Sequence, residues 1–106
     1  MQGTAKLELA AELERTARLC EDAAEVYVRR HGDDVGADVV TGLLLVAAAL
    51  DTAVDAVESE TALLITATLA RDAVDAAEKR GLDEALLECV NALRRITALC
   101  EEATGR

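Results

Sequence analysis

The chain has 106 residues, of which 52% are hydrophobic and only 1% aromatic, and its formal net charge is −10. Lysine and arginine total 11 against 21 acidic residues, so the chain lacks the basic surface that nucleic acids and anionic membranes need, and neither is an expected partner. Proline is absent and helix formers dominate, so the composition predicts an all-α fold in a single domain spanning residues 1–106.

The first predicted helix covers residues 4–30. Thr4 is a candidate N-cap, and His31 with Gly32 supplies a C-terminal stop. Apolar or small residues alternate at spacings of four and three along this segment: Leu9, Leu13, Thr16, Cys20, Ala23 and Tyr27. This heptad stripe predicts that one side of the helix packs against other helices.

The second predicted helix covers residues 35–58, after a turn in which Asp33 or Asp34 is the expected N-cap. Its heptad stripe consists of Val39, Leu43, Val46, Leu50, Ala53 and Val57. Val40, Leu44, Ala47 and Val54 widen the apolar surface well beyond that stripe. A helix that is apolar on most of its circumference is buried on more than one side, so we expect it to be central or to face a second subunit.

Ser59 is the expected N-cap of a third helix over residues 60–80, which Gly81 closes. The alternative is one continuous helix over 35–80, because the connecting residues contain neither glycine nor proline. We favour a break at Ser59, since it yields helices of similar length. The fourth predicted helix covers 84–103, with Asp83 as its N-cap, and the short connections predict an antiparallel up-down-up-down four-helix bundle.

The first residues of the chain lack a basic segment followed by an apolar one, so no secretory signal is expected. The longest apolar run, 39–50, is well under the ~20 residues that span a bilayer. The sequence therefore predicts a soluble cytoplasmic protein without a membrane partner. In such a reducing compartment the three cysteines are expected to be free thiols.

Acidic residues repeat along the second and third predicted helices, but the heptad positions there are apolar, which turns the acids outward. A di-iron site in a bundle also needs Glu-x-x-His motifs, and the only histidine, His31, lies in a turn. No nucleophile stands at a recognisable spacing from His31, and Ser59, the sole serine, is a cap. We therefore expect no catalytic residue and no enzyme activity.

Cys20, Cys89 and Cys100 all occupy heptad positions, where a free cysteine packs as a small hydrophobe. Cys89 and Cys100 are separated by eleven residues, a rise of ~16.5 Å along a helix, so these two cannot share one metal ion. If Cys20 faces one of them across the bundle, two thiolates are available for Cu(I), because soft ligands select that ion.

The last helix resembles the copper storage proteins, four-helix bundles whose interior cysteines, spaced by three and four residues, bind many Cu(I) ions. In that register the family's cysteine positions are occupied by Leu86, Cys89, Leu93, Ile96 and Cys100. The resemblance implies metal ligands at Cys20, Cys89 and Cys100 and a Cu(I) cofactor. Three of the five positions in the last helix carry aliphatic residues, so bulk copper storage is not implied.

Two functional hypotheses follow. The first is a non-catalytic bundle without a cofactor, which self-associates through helices two and three and binds a protein or a small apolar ligand. Leu44→Glu or Ala47→Glu is then expected to weaken the oligomer if either position faces the partner. The alternative is a Cu(I)-binding bundle with few thiolate ligands.

Overall fold

The computed structural model describes the backbone of residues 3–32 and 36–105, and the side chains of 6–32 and 36–105. These residues form four α-helices and no strand, so the all-α prediction is confirmed. The helices are α1 (Gly3–His31), α2 (Ala37–Val54), α3 (Glu60–Arg80) and α4 (Glu84–Ala103).

α1 extends one residue beyond the predicted range at each end. Its last residue is His31, which was expected in a turn, and Gly32 follows with a left-handed φ of 82°, which ends the helix as expected. The helix already includes Gly3, so the prediction that Thr4 is the N-cap is wrong, because a cap residue has a non-helical backbone.

α2 is shorter than predicted. It ends at Val54 and not at residue 58, because the backbone changes there to hydrogen bonds between residues three apart, and 55–58 form turns. At its start the N-cap position is held by Gly36, which has a φ of 73° and no side-chain cap. The predicted caps, Asp33 and Asp34, lie outside the described residues.

α3 and α4 begin at the predicted residues, directly after their N-caps. Ser59 and Asp83 both have extended backbones, and the side chain of each accepts a hydrogen bond from the backbone N–H three residues further on. The break at Ser59 is therefore confirmed, and a continuous helix over 35–80 is excluded.

The four helices form a closed ring. α1 and α3 each contact α2 and α4, while the diagonal pairs do not approach within 8 Å between the Cα atoms of the described residues. At 1.5 Å per residue the 29 residues of α1 are ~43 Å long, which matches the longest dimension of the molecule, 43 Å, so α1 runs along the long axis. The largest fully buried side chains of the core are Leu13, Leu43, Leu50, Leu86, Leu93 and Ile96.

The two halves of the chain repeat each other at an offset of fifty residues. Most buried positions of α1 and α2 coincide with buried positions of α3 and α4, and several carry the same residue: Leu13 and Leu63, Thr16 and Thr66, Ala17 and Ala67, Ala23 and Ala73, Leu43 and Leu93. Each position of α3 thus has a counterpart in α1, and each position of α2 except the last has one in α4. The contact between α2 and α3 (the α2/α3 seam) is therefore matched by that between α1 and α4 (the α1/α4 seam).

The connection between α1 and α2 is built around Tyr27, which is 4% exposed. A Cβ atom on Gly36 would lie 2.4 Å from the Tyr27 ring, so only glycine lets the ring occupy this place. The ring also contacts His31, with 4.4 Å between the ring centroids. Tyr27 therefore packs the end of α1 against the start of α2.

Candidate functional site

An open groove of about 450 Å³ lies between α2 and α3. None of its lining residues is charged: they are Leu45, Ala48, Ala49, Thr52, Ser59, Thr61, Ala62, Ile65, Thr66 and Leu69. We refer to the surface formed by Leu45, Ala48, Ala49, Ala62, Ile65 and Leu69 as the apolar face.

The apolar face exposes two large side chains. Leu45 is 54% exposed and Ile65 53% exposed. α2 carries no charged residue over 39–50, and α3 carries none over 61–70. A single exposed leucine is ordinary, but a contiguous uncharged surface on two neighbouring helices is typical of an interaction site.

The matched surface on α1 and α4 is charged. The counterparts of Ile65 and Leu45 are Arg15 and Arg95, and Arg15 forms a 2.9 Å ion pair with Glu12. Both seams have the same pattern of buried positions, so the fold does not require apolar residues at these outward positions. The apolar face therefore has a cause other than the packing of the four helices.

α2 is long and apolar enough, by length and composition alone, to cross a membrane, although 33% of it is buried inside the bundle. One side of α2 contributes six core residues: Val39, Leu43, Val46, Ala47, Leu50 and Ala53. In a ring of four helices α2 is not central, so one of the two expectations for this helix is wrong. The other, that it faces a second subunit, stays a prediction.

The two positions chosen from the sequence to test self-association do not line the groove. Ala47 is 3% exposed and belongs to the core, so Glu at that position would disrupt folding, and Leu44 is exposed outside the lining. The heptad count identifies inward positions but not which outward positions of two helices share a groove. The fifty-residue offset would have identified Leu45 and Ile65, since it pairs them with arginines.

The thiols of Cys20 on α1 and Cys89 on α4 meet inside the α1/α4 seam. Cys89 Sγ donates a hydrogen bond to Cys20 Sγ at 3.3 Å, and both side chains are buried. Cys100 is also buried but lies ~16.5 Å further along α4, so it is not part of this pair. Of the three cysteines singled out as possible ligands, the structure brings two together.

The hydrogen bond with Cys89 is the largest of the causes that raise the pKa of Cys20 far above its usual range. Burial and repulsion from a Cys89 thiolate act in the same direction. Burial, with a smaller contribution from Glu101, raises the pKa of Cys100 to about 11. At neutral pH Cys20 and Cys100 are therefore protonated thiols, and a metal ion must displace the proton to bind.

The donor set at the thiol pair is small. The described part of the chain contains no group of three or more His, Cys, Asp or Glu side chains that could hold a metal ion. Two sulfurs suit one two-coordinate thiophilic ion and do not suit a multi-ion cluster.

A polar atom without a partner lies close to the pair along α1. The Thr16 hydroxyl, one helical turn before Cys20, is buried without a hydrogen-bond partner among the described residues. Its counterpart Thr66 is also buried, but donates a hydrogen bond to the Ala62 carbonyl at 2.8 Å. The interior of the α1/α4 seam is therefore more polar and less well satisfied than that of the α2/α3 seam.

The acidic residues that repeat along α2 and α3, and in the turn between them, are exposed, as predicted: Asp51, Asp55, Glu58, Asp72, Asp75 and Glu78. His31 Nε2 lies 3.0 Å from Asp83 Oδ2. This contact lowers the pKa of Asp83, and the backbone N–H groups at the start of α4 add to the effect. His31 therefore connects the end of α1 to the cap of α4.

Comparison with known proteins identifies no relative, since no family model, curated protein or solved structure matches the chain. The resemblance to the copper storage proteins thus depends on the residues alone and stays a prediction.

Proposed function

We propose that this protein is a non-catalytic, antiparallel up-down-up-down bundle that associates with a second copy of itself through the apolar face. Contacts between helix ends support the topology. Arg80 at the end of α3 lies 3.2 Å from Asp38 at the start of α2, and Lys6 near the start of α1 pairs with Glu58 after the end of α2. Opposite ends of consecutive helices thus lie side by side.

The observation that carries the proposal is the replacement of Arg15 and Arg95 by Ile65 and Leu45 at matched positions. Exposed leucine and isoleucine are unfavourable in water, and burial recovers about 25 cal/mol per Å² of apolar area. A second copy supplies the same uncharged surface, so a two-fold interface is complementary to itself.

Charge favours this face over the others. Each copy carries a net charge of −10, so two copies repel each other wherever acidic residues meet. The uncharged segments 39–50 and 61–70 let two copies approach without opposing carboxylates at the centre of the contact.

The size of the molecule is also sufficient. A body of 43 × 21 × 18 Å has a long side of roughly 800 Å² in projection, similar in size to the accessible surface that one partner contributes to a standard interface. The charge-free centre of the apolar face would form the buried core of the contact, and the charged helix ends its rim.

The test places the arginines of the matched surface on the apolar face. In the double variant Leu45→Arg with Ile65→Arg, each copy would bury two charges without partners, and we expect dimerisation to weaken at least a hundredfold, about 2.7 kcal/mol. Sedimentation equilibrium over a range of concentrations measures the dissociation constant. Leu87→Arg, at a 49% exposed leucine of α4 outside the apolar face, is the matched control and should dimerise normally.

A wild-type protein that is monomeric at high micromolar concentration would overturn the proposal. So would a double variant that dimerises as tightly as the wild type. If the monomeric wild type instead binds neutral lipid vesicles or a small apolar probe, and the double variant does not, the apolar face has a different occupant.

A second candidate function is the binding of one Cu(I) ion, favoured by the 3.3 Å distance between the sulfurs of Cys20 and Cys89. The two thiols would hold the ion by releasing their protons, and Cu(I) would supply a soft, two-coordinate centre shielded from water. Because the proton must leave, binding should tighten as pH rises.

Competition against a chromogenic Cu(I) chelator tests this function. The wild type and Cys100→Ala should each remove one ion per chain from the chelator, whereas Cys20→Ala and Cys89→Ala should remove none. Removal of less than one ion by the wild type, or equal uptake by all variants, would rule out a site at this pair.

A further inference from the structure

The two buried sulfurs of the α1/α4 seam are close enough for a reaction between them. Cys20 Sγ and Cys89 Sγ are 3.3 Å apart, and a disulfide requires about 2.05 Å, so an approach of roughly 1.3 Å would bring them to bonding distance. They belong to α1 and α4, which are neighbouring helices of the ring.

Of the three possible disulfide pairings among the cysteines, the fold brings only Cys20 and Cys89 close together. Cys100 shares α4 with Cys89 and lies ~16.5 Å along that helix, far outside the range of a disulfide. At the matched positions of the α2/α3 seam stand Ala70 and Val39, so the thiol pair occurs in one seam only.

We propose that Cys20 and Cys89 form an intramolecular disulfide when the chain folds in the presence of a small disulfide oxidant such as oxidised glutathione. One protein thiolate attacks the oxidant, forming a mixed disulfide and releasing one glutathione thiolate. The second protein thiolate then attacks the mixed disulfide and displaces the other glutathione. The protein loses two protons and two electrons, and one oxidised glutathione becomes two reduced molecules.

Burial determines when this exchange is possible. Both thiols are inaccessible in the folded chain, and thiolates are the reactive species, so the bond forms while the α1/α4 seam is open. Once the seam closes, the same burial keeps reductants away from the bond. The sequence predicts free thiols in a reducing compartment, and this site would respond to the redox state that the chain meets during folding.

The bond would have a large effect on the fold, because it joins the first helix to the last. α2 and α3 lie entirely within the loop that it closes, and the entropy removed from the unfolded chain grows with the length of such a loop. For a domain of this size we expect the melting temperature to rise by at least about 10 °C.

The experiment refolds the full chain from denaturant in a buffer of oxidised and reduced glutathione. Remaining thiols are then alkylated under denaturing conditions, and the intact mass is measured. The wild type should lose two hydrogens and take up one alkyl group, and peptide mapping should connect Cys20 to Cys89. Cys100→Ala should form the same bond with no thiol left to alkylate.

Two variants copy residues that the other seam already accommodates. Cys20→Ala and Cys89→Val introduce the residues found at positions 70 and 39, and neither should form a bond or show the increase in melting temperature. Three alkylated thiols in the wild type, or a bond that includes Cys100, would overturn the proposal. Peptide mapping of the wild type decides the matter even if a variant fails to fold.

Discussion

The α2/α3 seam and the α1/α4 seam share a pattern of buried positions, yet they differ where the fold does not require a particular residue. On the outside, Leu45 and Ile65 stand where the other seam has Arg95 and Arg15. Inside, the α1/α4 seam contains the thiol pair at positions that the α2/α3 seam fills with aliphatic side chains. Because the two seams share one packing pattern, a residue that differs between matched positions is not required by the fold. Such positions are therefore the ones to examine for function.

The largest expected effect tests whether the two seams are equivalent in the core. Leu43 and Leu93 are matched and both fully buried, so Leu43→Ala and Leu93→Ala should each lower the free energy of unfolding by about 3 kcal/mol. Urea unfolding at a concentration where the chain is monomeric measures both losses. If one loss is less than half of the other, the seams are not equivalent.

A second double variant gives the outer surface of the α1/α4 seam the residues found at the matched positions of the α2/α3 seam. Arg15→Ile with Arg95→Leu creates a second apolar surface, so each copy could bind two others, and assemblies larger than a dimer should form at concentrations at least tenfold lower than in the wild type. Light scattering measures their mass. Adding Leu45→Arg and Ile65→Arg removes the original surface and should restore a dimer. A second double variant that stays dimeric would show that these positions do not control association.

Substitutions at the two matched buried threonines, Thr16 and Thr66, are expected to change the free energy of unfolding by smaller amounts and in opposite directions. Thr16→Val removes an unsatisfied hydroxyl and should stabilise the protein by about 1 kcal/mol, whereas Thr66→Val removes a hydroxyl that donates a 2.8 Å hydrogen bond and should destabilise it by a similar amount. Thermal or urea unfolding of both variants provides the measurement. Equal effects would indicate that the Thr16 hydroxyl has a partner in solution.

The smallest expected effect is on the stability of the protein at low pH. The pKa of Asp83 is lowered in the folded state by His31, so this carboxylate contributes stability above its unfolded value of about 3.9, and the contribution is lost as pH falls through the folded value. For an ion pair this exposed we expect about 0.5 kcal/mol. Asp83→Asn keeps a good N-cap and should lose this part of the pH dependence of unfolding. An unchanged profile would show that His31 does not stabilise the carboxylate.

The sequence predicted the helices well where a side chain determines the boundary. Ser59 and Asp83 are caps that bond their own helices, so α3 and α4 began where expected. The predicted end of α2 was four residues too late, because the change in hydrogen bonding after Val54 has no marker such as glycine or proline. At the start of α2, glycine is required at position 36 because the Tyr27 ring packs against it. This contact joins residues of α1 and the start of α2, so the local sequence pattern around position 36 does not predict it.

For the candidate sites, the heptad positions placed all three cysteines in the core, and the structure then selected Cys89 as the partner of Cys20. That choice depends on how α1 and α4 are aligned along their axes, which the sequence of either helix alone does not give. The apolar face was anticipated as a property of helices two and three, but its central residues were not, because outward positions become neighbours only when two helices are packed together.

The single tyrosine has a practical consequence for optical measurements. The chain contains no tryptophan and no phenylalanine, so near-ultraviolet emission comes from one ring buried between the end of α1 and Gly36. Fluorescence thus reports the opening of one end of the bundle without overlapping signals from elsewhere. Comparing it with the far-ultraviolet circular dichroism of all four helices would reveal whether that end opens before the rest unfolds.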